Sequence, residues 1–180
     1  MILLLVRHTA VSGIDGLCYG RTEVALADSF PAEAAAVRAA LPPLPWTLHA
    51  SPAGRCRRLA DSFGPPVAID ARLRELDFGG WDGRAWDDLP RPALDRWCDD
   101  FVSTCPPGGE SFSELAARAE AFVADLARGD ASATVVAVTH AGVIRALLAP
   151  RRGLALADAF SLAVPPGSVH SLDIPGSLPP

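Results

Sequence analysis

Two uninterrupted apolar runs stand out along the chain, Ile2 to Val6 and Thr134 to Val138, each short enough for a strand and lacking the alternation of a half-exposed one. Such runs mark strands buried on both faces of a sheet. Trp46 to Ala50 reads as another short strand, ending at Ser51. Between them apolar residues recur at helical intervals. Ser111-Phe112-Ser113-Glu114 has capping-box spacing, and Phe112, Leu115, Ala119, Phe122, Val123 and Leu126 then define one helical face that stops at Gly129. Ser51-Pro52 reads as an N-cap with Pro at the first helical position, opening a helix through about Phe63. Pro31 to Leu41 and Val143 to Ala149 are two more expected helices, with breaks at Gly64-Pro65-Pro66 and Pro106-Pro107-Gly108-Gly109. Alternating strand and helix predicts an α/β sandwich. No repeat or change in composition divides the chain, so one domain over residues 1–180 is expected, with a loose tail from about 175. Residues 72–110 are the least regular stretch and carry Trp81, Trp86 and Trp97, either as a substrate-side excursion or as packing.

Composition narrows the chemistry. The chain has 180 residues, 49% of them apolar, with 15 Gly and 17 Pro scattered singly or in pairs, which excludes collagen-like and wholly disordered chains. Sixteen basic against 21 acidic residues argue against nucleic acid as a partner. A few arginines can still form a positive pocket for a small anion. Every basic residue is Arg, so a Walker loop or any lysine-dependent mechanism is excluded. Cys18, Cys56, Cys98 and Cys105 show no CxxC pairing, which suggests neither a zinc cage nor a disulfide scaffold. Their expected role is that of buried small apolar residues or idle thiols. The run Ile2 to Val6 is too short for a signal-peptide core or a membrane span, so a cytoplasmic protein without a membrane partner is expected.

A cysteine phosphatase places Arg six residues after its nucleophile, but those positions hold Val24, Ser62, Thr104 and Ser111. The nearest approach to a serine nucleophile elbow, Gly109 to Ser113, lacks the final Gly. Histidine remains. Each buried strand is followed by one, His8 and His140, at the carboxyl edge where open α/β sheets bind ligands. Imidazole can attack phosphorus and hold the phosphoryl group as a phosphoramidate, while arginine forks and helix N-termini cradle its charged oxygens. Arg7, Arg55 and His140 are placed to converge on such a group. Glu75, flanked by Leu76 and near bulky aromatics, is the candidate proton donor, with burial and phosphate charge expected to raise its pKa. The structural alternative for Glu75 is an ion pair with Arg72 or Arg74. His49 and His170 match no such element and are expected to be structural.

Leu5-Val6-Arg7-His8, Tyr19 to Leu26, Ser51-Pro52-Ala53-Gly54-Arg55, Glu75 to Gly83, Pro107 to Phe112 and Val138 to Arg145 follow one another in an order and spacing that resembles the histidine phosphatase superfamily over nearly the whole chain. Within it, Gly79 to Gly83, Pro107 to Phe112 and Gly167-Ser168-Val169 are most similar to the alpha-ribazole phosphatases of cobalamin nucleotide-loop assembly. The resemblance implies a phosphoglycerate-mutase-like, three-layer α/β/α sandwich with a mostly parallel central sheet. It further implies a small phosphorylated metabolite as partner, phosphorylation on His8, Glu75 as proton donor, Arg7, Arg55 and His140 as the phosphate pocket, and Gly20 and Arg21 in a loop that touches substrate. No metal and no cofactor are implied. The chain departs from the pattern at Thr9, where Gly is commonest, at Ala10, where Glu often sits, at Ile14, where an Asn is often found, and at Ala141, where a second Gly is usual. These departures support one alternative, a non-catalytic module that binds phosphate ligands; a second, a phosphoglycerate-type mutase, is disfavoured because mutases of this family are longer and 180 residues leave little room for a cover over the site.

Overall fold

The computed structural model describes residues 1–175. Its five-stranded sheet is made by β1 (Ile2–Arg7), β2 (Thr47–Ala50), β3 (Val67–Ile69), β4 (Thr134–Thr139) and β5 (Val169–Asp173), in the order β3-β2-β4-β1-β5. β3, β2, β4 and β1 run parallel, and β5 closes the edge antiparallel to β1. The central register places Leu5 opposite Ala137 and Arg7 opposite Thr139, so β1 and β4 end side by side. Both histidines thereby leave the sheet at the same edge.

The helices are α1 (Phe30–Ala40), α2 (Gly54–Asp61), α3 (Arg91–Asp99), α4 (Phe112–Leu126) and α5 (Ala141–Arg151). Because side chains alternate along a strand, the sheet divides its apolar residues between two cores. Leu3, Leu5, Val135 and Ala137 face Phe112, Leu115 and Phe122 of α4 and Ile144 and Leu147 of α5. Val6, Leu48, Val136 and Val138 face Val37 of α1 and Cys56 and Leu59 of α2. The chain is thus an α/β/α sandwich around a mostly parallel sheet. A third, smaller cluster joins Cys18 to Trp81 and Leu89 of the irregular stretch 72–110, under Trp86 and Trp97.

Three expectations change. α2 begins at Gly54 with Ala53 as its N-cap, because the Ser51 hydroxyl is engaged by His140 and the first free amide of the helix goes to Glu23 instead, at 3.0–3.1 Å. α5 is longer at both ends than Val143 to Ala149. Residues 72–110 contain α3, with Pro92 in its first turn and Trp97 turned into the aromatic cluster. The expected capping box on α4 is present, Ser111 receiving the Glu114 amide while Glu114 receives that of Ser111. The expected loose tail beyond 175 lies outside the described residues. Among the described residues no helix is long and apolar enough to cross a membrane.

Candidate active site

His8 and His140 are 2% and 1% exposed, and their ring centroids lie 5.2 Å apart, edge to face. His8 Nδ1 lies 2.8 Å from the Thr9 carbonyl oxygen. A carbonyl only accepts, so Nδ1 carries the hydrogen and Nε2 keeps its lone pair. Burial, reinforced by the Arg55 charge, pushes the imidazole pKa down to about 3, so the ring stays neutral and nucleophilic at ordinary pH. His140 is likewise driven far toward its neutral form by burial first and by Arg55 second. Its Nε2 lies 2.8 Å from Ser51 Oγ, and its Nδ1 3.3 Å from Arg55 Nη2, which donates to it. Ser51 is a site residue that reading it as a helix cap had hidden.

Arg55 is 1% exposed. Its Nη2 donates to the Gly20 carbonyl at 2.6 Å and its Nη1 to that of Thr22 at 3.0 Å, while Nε is buried without a partner. The same loop is held from outside by Asp82, whose carboxylate receives the amides of Gly20, Arg21 and Thr22 at 3.1, 2.6 and 3.2 Å. Gly20 passes so close beneath Leu76 that a Cβ there would collide with the Leu76 carbonyl. Arg21, the other predicted loop contact, forms a 2.5 Å ion pair with Asp77 and lies 3.7 Å from Glu110. Its fork therefore meets carboxylates rather than the histidines.

Glu75 is half-buried on the wall between two hollows. Its Oε1 accepts the Leu76 amide at 2.9 Å and its Oε2 the Gly142 amide at 3.2 Å, at the start of α5. Of the two rival partners, Arg72 is taken by Asp70 and Asp125, and among the described residues Arg74 forms no ion pair with Glu75. A Cβ on residue 142 would come against Glu75 Oε1 and force that carboxylate to move, while buried Ala141 is accommodated beside it. The smaller hollow, about 80 Å3, is bordered by Ser51, His140, Arg21 and Gly20. The larger, about 210 Å3, opens over His8 and Arg7 and is walled by Tyr19, Leu76, Phe78, Trp86, Phe112 and Phe160. Arg7 reaches back to the Val164 carbonyl at 2.5 Å. Arg145 lines the same cleft, over the Phe160 ring, with its pKa lowered by burial first and by Arg7 second. That second cation was not singled out in the sequence.

The structure thus brings His8, His140, Arg55, Glu75 and Gly20 around one centre, sets Arg7 beside His8 on the cleft side, and leaves Arg21 on the rim of the smaller hollow, paired with Asp77. At two of the departures, the Thr9 hydroxyl is buried without a partner, and the Ala10 amide donates to Glu33 at 2.8 Å. His49 packs against Phe122 and His170 pairs with Ser168, both outside the site. Cys56 is buried at 3.5 Å from His140 Nε2, with its thiol pKa pushed up by burial. It is a neutral neighbour rather than a thiolate.

This arrangement pairs a buried neutral imidazole, lone pair outward, with a carboxyl group and two guanidinium groups at the amide-rich start of a helix, the equipment for moving a phosphoryl group. The family model described as "Histidine phosphatase superfamily (branch 1)" matches residues 3–179. An adenosylcobalamin/alpha-ribazole phosphatase of Salmonella typhimurium is 27% identical over 97% of this chain and 91% of its own. A glucosyl-3-phosphoglycerate phosphatase of Mycolicibacterium vanbaalenii is 36% identical over 53% of this chain, which spans about half (47%) of that relative's length. Among solved structures, the alpha-ribazole phosphatase of Shigella flexneri superposes with a TM-score of 0.86 at 27% identity, over 96% of this chain and 90% of its own. The chain belongs to the histidine phosphatase superfamily (branch 1) and is a phosphoric monoester hydrolase.

Proposed function

We propose that the chain is a metal-independent phosphomonoesterase that works through a phosphohistidine on His8, with alpha-ribazole 5'-phosphate or a close relative as substrate. The observation that carries the mechanism is the His8 imidazole, whose Nδ1 is spent on the Thr9 carbonyl and whose Nε2 is left with its lone pair in a neutral ring at the cleft. In the first step Nε2 attacks phosphorus, the P–O bond to the alcohol breaks, and the Glu75 carboxyl gives its proton to the departing oxygen. In the second, water attacks phosphorus while Glu75 takes its proton, the P–N bond breaks with its electron pair returning to Nε2, and inorganic phosphate leaves. Arg7, Arg55, His140 and the α5 amides hold the equatorial oxygens. The His8 ring is held in place before substrate arrives, while His140 must exchange its Ser51 partner for a phosphate oxygen.

Support for the substrate comes from the cleft wall. Tyr19, Phe78, Trp86 and Phe160 present an aromatic surface to the leaving group. Alpha-ribazole carries a flat heteroaromatic base that such a surface can stack. A second substrate reading rests on Arg145 beside Arg7: two neighbouring cations suit a leaving group with its own negative charge, such as a glycerate. Comparing kcat/KM for alpha-ribazole phosphate, cobalamin phosphate, a glycerate phosphoester and a simple alkyl phosphate decides between them. Free phosphate release, fastest from alpha-ribazole phosphate, is expected. A leading glycerate ester overturns the substrate, and isomerised phosphoester in place of free phosphate overturns hydrolysis.

A further inference from the structure

Residues 72–75 run from a short 3-10 turn into extended chain, so their carbonyls lack partners in a strand or helix ladder. Two side chains supply partners to these carbonyls instead. Thr139 Oγ1 donates to the Leu73 carbonyl at 2.7 Å. Arg118 on α4 takes the other three: Nη1 donates to the carbonyls of Arg72 and Arg74, both at 2.7 Å, and Nη2 to that of Glu75 at 3.1 Å. The remaining donors go to Glu110, Nε to Oε2 at 3.0 Å and Nη2 to Oε1 at 2.6 Å. All five N–H groups of the fork are thereby used. Glu110 Oε1 also receives the Asp77 amide at 3.0 Å. The Arg118 and Glu110 side chains are only 18% and 15% exposed, unlike a solvated surface pair.

We propose that Arg118, anchored by Glu110, is a positioning residue for proton transfer by Glu75: it grips the backbone on both sides of that residue and sets where the carboxyl stands. The inference rests on the assignment of Glu75 as proton donor. The Glu75 carboxylate is held only by the amides of Leu76 and Gly142, so its place depends on where its own backbone lies. Misplacing a reacting group by about 1 Å can cost about 10²-fold in rate. Arg118 borders neither hollow, so its loss removes no substrate contact.

This role predicts a signature that general loosening lacks. An alkoxide needs a proton to leave, whereas nitrophenolate departs without one. Because kcat/KM reports the steps through P–O cleavage, slow hydrolysis of the phosphohistidine does not mask the effect. In Arg118→Met, kcat/KM is expected to fall about 10²-fold for an alkyl phosphate and less than about threefold for p-nitrophenyl phosphate. Arg118→Lys, which keeps the charge with fewer and differently placed donors, is expected to fall between wild type and Arg118→Met. Glu75→Gln is expected to give the same discrimination more strongly, and adding Arg118→Met to it to leave the ratio of the two esters unchanged. Equal losses on both esters in the Arg118 variants, while Glu75→Gln discriminates, overturn the positioning role. Absence of discrimination in Glu75→Gln itself overturns the proton-donor assignment. If Arg118→Met does not fold, the ester ratio of Arg118→Lys decides alone.

Discussion

The two ends of the cleft are built by different means. At the phosphate end His8, His140, Arg55 and Ser51 project from the sheet edge or from a helix start, and all are at most 2% exposed, each held by a named hydrogen bond. At the leaving-group end Tyr19, Phe78, Trp86 and Phe160 come from loops and 3-10 turns, and Phe160 is 48% exposed. One end is rigid because its polar groups are desolvated and must stay paired; the other is shaped by aromatic contacts that tolerate exchange. Chemistry is thus fixed by the fold and selectivity by its excursions. Glu75 belongs to both, since it borders both hollows.

Substitutions at the two ends are therefore expected to separate turnover from selectivity. The largest effect is expected from His8→Ala, with kcat falling at least about 10³-fold on every ester alike, because the nucleophile is gone. Steady-state phosphate release checks this, and retained turnover breaks the comparison at its rigid end. Next is Gly142→Ala, whose methyl group collides with the Glu75 carboxylate. Its kcat/KM for an alkyl phosphate is expected to fall about 10-fold, a fraction of the loss from removing a general acid.

The third test concerns acid. In the unfolded chain a histidine takes a proton near pH 6.5, but folded His8 does so only near 3. Between those values the unfolded state binds more protons, so stability falls as pH drops, by roughly 2 kcal/mol from this residue at pH 5. Denaturant midpoints measured at pH 7 and pH 5 are expected to differ less in His8→Asn than in wild type; an unchanged difference contradicts the buried neutral ring. The smallest effect belongs to the apolar end. Phe160→Ala is expected to raise KM for alpha-ribazole phosphate about fivefold, on the scale of one aromatic contact, with little change in kcat for a small alkyl ester. An equal change on both esters removes the division of labour.

What was legible in the sequence follows the same division. β1, β4 and the capping box of α4 announce themselves by local pattern, and the strand-end histidines follow from topology. β3 and β5 are too short or too mixed to stand out, and β5 is an edge strand that includes His170 and Asp173. Ser51 was read as a helix cap since Ser-Pro usually is one, but a buried imidazole 89 positions away claimed its hydroxyl. The motif places Arg21 in the loop beside the smaller hollow, and its ion pair with Asp77 is visible only in three dimensions. Arg145 and Arg118 lie mid-helix among ordinary arginines. Only folding reveals that one lines the cleft and the other holds the backbone of Glu75.

The central claim is that phosphate passes through His8. Enzyme mixed with labelled phosphoester and quenched in alkali, where a phosphoramidate survives, is expected to carry the label on the peptide containing His8, and none is expected in His8→Ala. Label on another residue, or turnover with no label trapped before the steady state, would contradict the account.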